Sequence, residues 1–118
     1  MTPSTLVVGG SAAERERAIV AAVSRAPALP TVALLEGLPD AGADAAHPPQ
    51  LQTIHIAPGC PCCIGSLTLR VTLNRILRRP PARLYIGLAA TPHLPRLREL
   101  LRQPPYDALL QWSDDLPL

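Results

Sequence analysis

Short apolar runs alternate along this chain with stretches whose apolar residues recur every three or four positions. Leu6-Val7-Val8 is a compact run that stops at Gly9-Gly10, the pattern of a strand entering a turn. Ser11 stands where a helix N-cap belongs, and Ile19, Val20 and Val23 form one stripe of a helix reaching about residue 25, before Pro27. Residues 31–36 are almost continuously apolar, as in a strand covered on both faces. Residues 37–50 are rich in Pro, Gly, Ala and Asp without any period, which predicts a flexible loop. A third strand is predicted over 51–57, delivering the chain to Pro58-Gly59. Leu69, Leu73, Ile76 and Leu77 then mark the buried stripe of a helix over 66–79, stopped by Pro80-Pro81. A fourth strand follows over 83–88. Leu94, Leu97, Leu100 and Leu101 mark a further helix that ends near Pro104-Pro105, and 106–112 reads as a last, edge strand. This order predicts a single α/β domain over 1–118, a three-layer sandwich built on a mostly parallel sheet.

Composition narrows the core and the partners. At 118 residues the chain supports one core, and with 3% aromatic residues and no Phe that core consists of Leu, Val, Ile and Ala. A formal charge of +2 predicts no nucleic-acid partner. Arg70, Arg75, Arg78, Arg79 and Arg83 do cluster, and the plain reading of that cluster is a solvated helix face. No apolar run approaches the length needed to cross a bilayer, so no membrane partner is predicted. The apolar stretch near the N-terminus is too short for a signal peptide, so the predicted location is cytoplasmic, where thiols stay reduced.

That setting gives meaning to the only three cysteines, which fall together in Gly59-Cys60-Pro61-Cys62-Cys63. An odd, tight cluster in a reducing compartment points to metal binding or thiol chemistry and not to a disulfide framework. Thiolates are the soft donors that zinc and similar ions prefer. Pro61 restricts the loop, and Cys63 approaches a predicted helix whose N-terminal dipole favours the thiolate form. Three thiolates leave one tetrahedral position, and Glu36, at the end of the second strand, is the preferred fourth ligand, with water or a partner's side chain next. His55, on the incoming strand, reads first as a satisfied core histidine and only second as a ligand, while His47 and His93 sit in loop-like segments at the surface. Three buried apolar thiols would be the bland explanation of the cluster.

In a parallel sheet, ligands gather at the carboxyl ends of the strands. Gly9-Gly10, Glu36 and the cysteine segment all follow strands, so they belong to one edge. Gly9-Gly10-Ser11-Ala12-Ala13-Glu14-Arg15-Glu16 has the strand, the first glycine and the helix of a phosphate-binding loop. Yet Arg15 stands at the lysine position and Glu16 at the hydroxyl position, and the chain contains no lysine at all. Carboxylates would face the phosphates where a helix N-terminus should attract anions. Gly9, Gly10 and Arg15 are therefore the residues of a degenerate cofactor loop, with normal nucleotide hydrolysis not expected.

Taken together, the glycine loop after strand one, Val32-Ala33-Leu34-Leu35-Glu36 closing strand two and Gly59-Cys60-Pro61-Cys62-Cys63 after strand three resemble the CobW-like GTPases. These stand with the UreG and HypB metallochaperones, whose P-loop domains couple GTP hydrolysis to handling zinc, nickel or cobalt. The resemblance spans about residues 5–103 in element order, but only the Gly-Cys-x-Cys-Cys motif is specific. It implies a P-loop-NTPase-like fold, Glu36 as the acidic residue after strand two and GTP as a candidate cofactor. The chain departs from the family at Arg15, Glu16 and Thr68, in Leu84-Tyr85-Ile86-Gly87-Leu88-Ala89-Ala90 after strand four, and in lacking any Asn-Lys-x-Asp motif. It resembles a truncated, short form without the family's second domain.

Three function classes follow. The favoured one is a metal-binding protein, zinc foremost, holding the ion with Cys60, Cys62, Cys63 and Glu36, tied to metal homeostasis or metallochaperone work, with a client metalloprotein or an intact homologue as partner. The alternatives are a GTP-binding protein with an atypical loop, and a thiol-redox or interaction module.

Overall fold

The computed structural model describes residues 1–37, 48–56, 63–89 and 94–118, with side chains from residue 68 onward in the helix that begins at Cys63. Five strands, Thr2–Val8 (β1), Thr31–Glu36 (β2), Leu51–Ile56 (β3), Arg83–Leu88 (β4) and Leu110–Trp112 (β5), form one sheet in the order β3-β2-β4-β1-β5. Every pairing in it is parallel. Among the described residues four helices accompany the strands: Ala12–Arg25 (α1), Cys63–Leu77 (α2), Leu94–Leu100 (α3) and Tyr106–Leu109 (α4).

The period-2 alternation of the strands sorts the core into two layers. Val7, Ala33 and Leu35 face one way and pack with Ile19 and Val23 of α1. Leu6, Leu34, Leu84, Ile86 and Leu88 face the other way and meet Leu69, Leu73 and Ile76 of α2, with Leu101 and Tyr106 beyond. Each strand in the middle of the sheet is thus apolar on both faces, which is why its sequence shows a continuous run and not an alternation. A wholly buried leucine such as Leu73 gains about 1.5–3 kcal/mol from leaving water. The architecture is the expected α/β sandwich, helix–sheet–helix, with no helix among the described residues long and apolar enough to cross a membrane.

Three boundaries differ from the sequence expectation. β1 begins at Thr2, because its first residues pair with β5, Thr2 opposite Leu110 and Ser4 opposite Trp112. α2 begins at Cys63, three residues before Ser66, so the last cysteine opens a helix. Residues 106–112 divide into α4 and β5. The Tyr106 N–H donates to Gln103 O (2.8 Å) and the Tyr106 hydroxyl donates to Asn74 Oδ1 (2.8 Å), which holds one helical turn before the strand. The expected loop over 37–50 and the end of the expected third strand at Ala57 lie largely outside the described residues.

Candidate functional site

Parallel pairing brings the ends of β1, β2 and β3 to one edge of the sheet, as the order of motifs requires. The spacing along that edge is uneven. β4 and β2 lie between β1 and β3, so three strand spacings, about 14 Å, separate the glycine turn from the end of β3. Glu36, in contrast, sits directly beside the end of β3, in register with Ile56. The next amide, Gly37 N–H, donates to Ile56 O at 2.8 Å and fastens the two chain segments together.

The glycine turn is closed by the chain's own side chains. Gly9 and Gly10 both adopt positive φ (91° and 58°), the left-handed region that glycine enters without steric cost. α1 starts behind them with a capping box: Glu14 N–H donates to Ser11 Oγ (3.1 Å) and Ser11 N–H donates to Glu14 Oε1 (3.0 Å). Where a phosphate oxygen would take helix N-terminal amides, the Glu14 carboxylate already takes one. The bonds from Ser11 hold the Glu14 carboxyl below the usual glutamate range.

Arg15 completes the closure. Only 4% of this residue is exposed. Its Nη1 donates to Gly9 O and to Gly10 O (2.9 Å each), and its Nη2 donates to Glu36 O (3.1 Å). The guanidinium therefore ties the turn after β1 to the end of β2, across β4. Its stem crosses Gly87 of β4, where a Cβ would lie 3.7 Å from Arg15 Cβ and Cδ and 3.0 Å from Leu35 Cδ2. Burial pulls the Arg15 pKa down, with Glu36 and Glu14 opposing that shift. Arginine nevertheless keeps its charge at any ordinary pH. Beside it, burial pushes the Glu36 carboxyl up while the Arg15 charge pulls it back. Leu118 lies over the same turn, its Cδ1 2.8 Å from where a Cβ on Gly10 would be.

Glu36 and His55 part company across the sheet. By alternation Glu36 shares the face of Leu34, the face on which α2 packs. His55 meets α1 on the opposite face: its Nε2 lies 3.4 Å from Glu16 Oε1, and its Nδ1 donates to Gly37 O at 3.1 Å. Both ring nitrogens thus have partners, and the ring bridges α1 to the residue after β2. Cys63 opens α2, while Cys60, Cys62, His47 and His93 lie outside the described residues. Among the described residues no three His, Cys, Asp or Glu side chains converge on one point.

Two features of this edge escaped the sequence reading. The capping box carried a signal, since Ser11 followed by Glu14 has its spacing. The space above Gly87 carried none, because a glycine that admits an arginine stem looks like any other strand glycine.

No family model, curated protein or solved structure matches this chain.

Proposed function

We propose that this chain binds a soft divalent metal, zinc foremost, through Cys60, Cys62, Cys63 and Glu36, and that it does not hydrolyse nucleotide. The observation that carries the metal reading is the junction of β2 and β3. Glu36 stands in register with Ile56, four residues before Cys60, and on the face of the helix that opens at Cys63. That placement supports Glu36 over His55, whose ring turns to the other face and is engaged by Glu16 and Gly37.

The donor chemistry agrees with the ion. Three thiols and a carboxylate match the sulfur and oxygen donors zinc accepts in tetrahedral sites. The start of α2 and the Arg15 charge both favour anionic donors at this end of the sheet. When bound, the metal would be cargo or a structural centre held by thiolates. The part of this chain is to deliver the donors and keep them in a reducing compartment, the cytoplasm. The loss of hydrolysis rests on the closed turn, since Arg15 spends its guanidinium on carbonyl oxygens and Glu14 covers an amide a phosphate would need. A CobW-like kinship, with a client metalloprotein or an intact homologue as partner, belongs to the same proposal and rests on the Gly-Cys-x-Cys-Cys motif.

A competitive zinc titration of the reduced protein, run beside a Cys60→Ser/Cys62→Ser/Cys63→Ser variant, tests this. The expected result is a one-to-one complex that the variant loses and that Glu36→Gln weakens by about tenfold or more. Titration with labelled GTP and magnesium should give no saturable signal. Equal zinc binding by wild type and triple variant would overturn the metal reading, and magnesium-dependent GTP binding would overturn the second claim.

A further inference from the structure

The small net charge conceals a strong segregation. Between Asp44 and Glu99 the sequence has no acidic residue, yet it holds seven of the eleven arginines. Four of the seven, Arg70, Arg75, Arg78 and Arg79, are exposed on α2 and the turn that ends it. At i,i+4 spacing they fall in two adjacent rows, Arg70–Asn74–Arg78 and Val71–Arg75–Arg79, opposite the buried stripe of Leu69, Leu73 and Ile76. Arg78 and Arg79 continue the last turn through N–H bonds to Arg75 O (3.3 Å) and Ile76 O (3.2 Å). No ion pair reaches any of the four among the described residues.

Such a face is costly to the helix that carries it. Arg75 meets like charges at i+3 and i+4, Arg78 and Arg79, and such pairs each destabilise an isolated helix by about 0.2–0.5 kcal/mol. Arginines near a helix C-terminus do offset the dipole, but Arg70 lies near the middle of α2 and has no such reason. A second feature adjoins the arginine rows. The end of α2 borders a cavity of about 290 Å³, lined by Leu77, Pro80 and Pro81 with Met1, Pro3 and Leu109 opposite. Met1 and Leu109 are 73% and 41% exposed, and Val71, within the arginine rows, is 51% exposed. Apolar surface in a basic frame asks for a ligand with both characters.

We propose that the exposed face of α2 and this cavity form a docking surface for an acidic, amphipathic segment of a partner protein, its carboxylates on the arginine rows and one large apolar side chain in the cavity. Charge complementarity selects an anion. The extent selects a short one: Arg70 to Arg79 spans about 14 Å along the helix, two to three turns of a docked helix. A nucleic-acid strand fits less well, because the rest of the chain carries a net negative charge that would repel its continuation. The choice of arginine over lysine says nothing here, since the chain has no lysine. The cavity, near the lower limit of roughly 300 Å³ for ligand clefts, suits one anchoring side chain and not a cofactor.

The probe is a fluorescein-labelled helical peptide of about 16 residues, long enough to cover the face, with Glu along one side and a single Trp at one end. Binding is followed by fluorescence anisotropy with chelator and reductant present, so the outcome is independent of metal binding. Wild type should bind saturably at low salt and lose affinity as salt rises. Arg75→Glu/Arg78→Glu should weaken binding by about tenfold or more, and Trp→Ala in the peptide by about threefold or more. Both arginines are exposed, and a thermal melt verifies that the variant folds; Arg75→Gln/Arg78→Gln serves if it does not. Absence of saturable binding, equal binding by the charge-reversed protein, or tighter binding of a single-stranded RNA of equal charge would each overturn the proposal.

Discussion

Arg15 shows how one side chain can close a site. Its guanidinium forks back to three carbonyl oxygens, Gly9 O, Gly10 O and Glu36 O, where a phosphate-binding loop would use a lysine. A planar fork suits this better than a lysine ammonium, whose three donors cannot be held in one plane across two loops. Its Nε is a buried polar atom without a hydrogen-bond partner, so the arrangement is not free of cost. The bonds from Nη1 and Nη2 outweigh that cost, each hydrogen bond to a charged group being worth about 1.5–3 kcal/mol. Arg15→Leu should therefore lower stability by about 2–4 kcal/mol in a urea titration, by stranding the three carbonyls. Arg15→Lys should recover less than half of that loss and should create no GTP binding, because Glu14 still holds the Ser11 amide. Recovery of full stability by lysine would show that charge alone, and not the fork, ties the turn to β2.

The elements were legible wherever one periodicity ruled, and less so where tertiary contacts chose between two. The continuous apolar run over 31–36 and the stripe of Ile19 and Val23 correspond to β2 and α1 because both faces, or one face, of each is buried against the expected layer. Residues 106–112 contain Tyr, Leu and Trp, strand formers by propensity, yet α4 forms with Tyr106 N–H on Gln103 O, and the Tyr106 hydroxyl anchors that turn to Asn74, a residue that a local pattern cannot bring near. The edge on which Gly9-Gly10 and Glu36 lie was legible from strand–motif order alone. The intervening β4 was not, since strand order is fixed by long-range pairing. The start of α1 joins both kinds of information, a local spacing used for a global purpose. Ser11→Ala should cost about 1 kcal/mol by removing the cap, read as a shift in the urea midpoint. Because Ser11 holds the Glu14 carboxyl low, the contribution of Glu14 is complete above the ordinary glutamate value, about 4.3, and fades as pH falls through the lower folded value. Glu14→Gln should therefore flatten the acid limb of the stability profile relative to wild type. An unchanged limb would mean that the box contributes nothing to the folding equilibrium.

At the scale of the whole molecule, the C-terminal segment extends the sheet past β5 and covers the remainder of β1. Ser113 N–H donates to Ser4 O and Leu116 N–H donates to Leu6 O, both at 2.9 Å, so the exposed side of β1 is not left as an open edge. Leu116 joins the α1 layer of the core, and Leu118 reaches the glycine turn, which makes this segment part of what closes the site. Among the described residues its charged fastening is Asp115, paired through both carboxylate oxygens with Arg98 of α3. Arg98 holds the Asp115 carboxyl below the usual range, first through the hydrogen bonds and then through its charge. A depressed carboxyl stabilises the fold fully above the unfolded value, about 3.9, and that contribution is lost as pH falls through the folded value. Arg98 is half-buried and Asp115 exposed, so solvent screens the pair and it is worth under about 1 kcal/mol. Asp115→Asn should thus lower the melting temperature at neutral pH by about 2–4 °C, a difference that salt reduces. Wild type and variant should converge as pH falls below the lowered folded value, where Asp115 is protonated in both folded and unfolded chains. Amide exchange at Leu116 should quicken in the variant at neutral pH while the amides of β2 stay protected, because the tether acts on the segment and not on the sheet. Equal acceleration in β2 would mean that the segment opens only with the whole fold, and that the closure of the glycine turn and the stability of the sheet are one cooperative property.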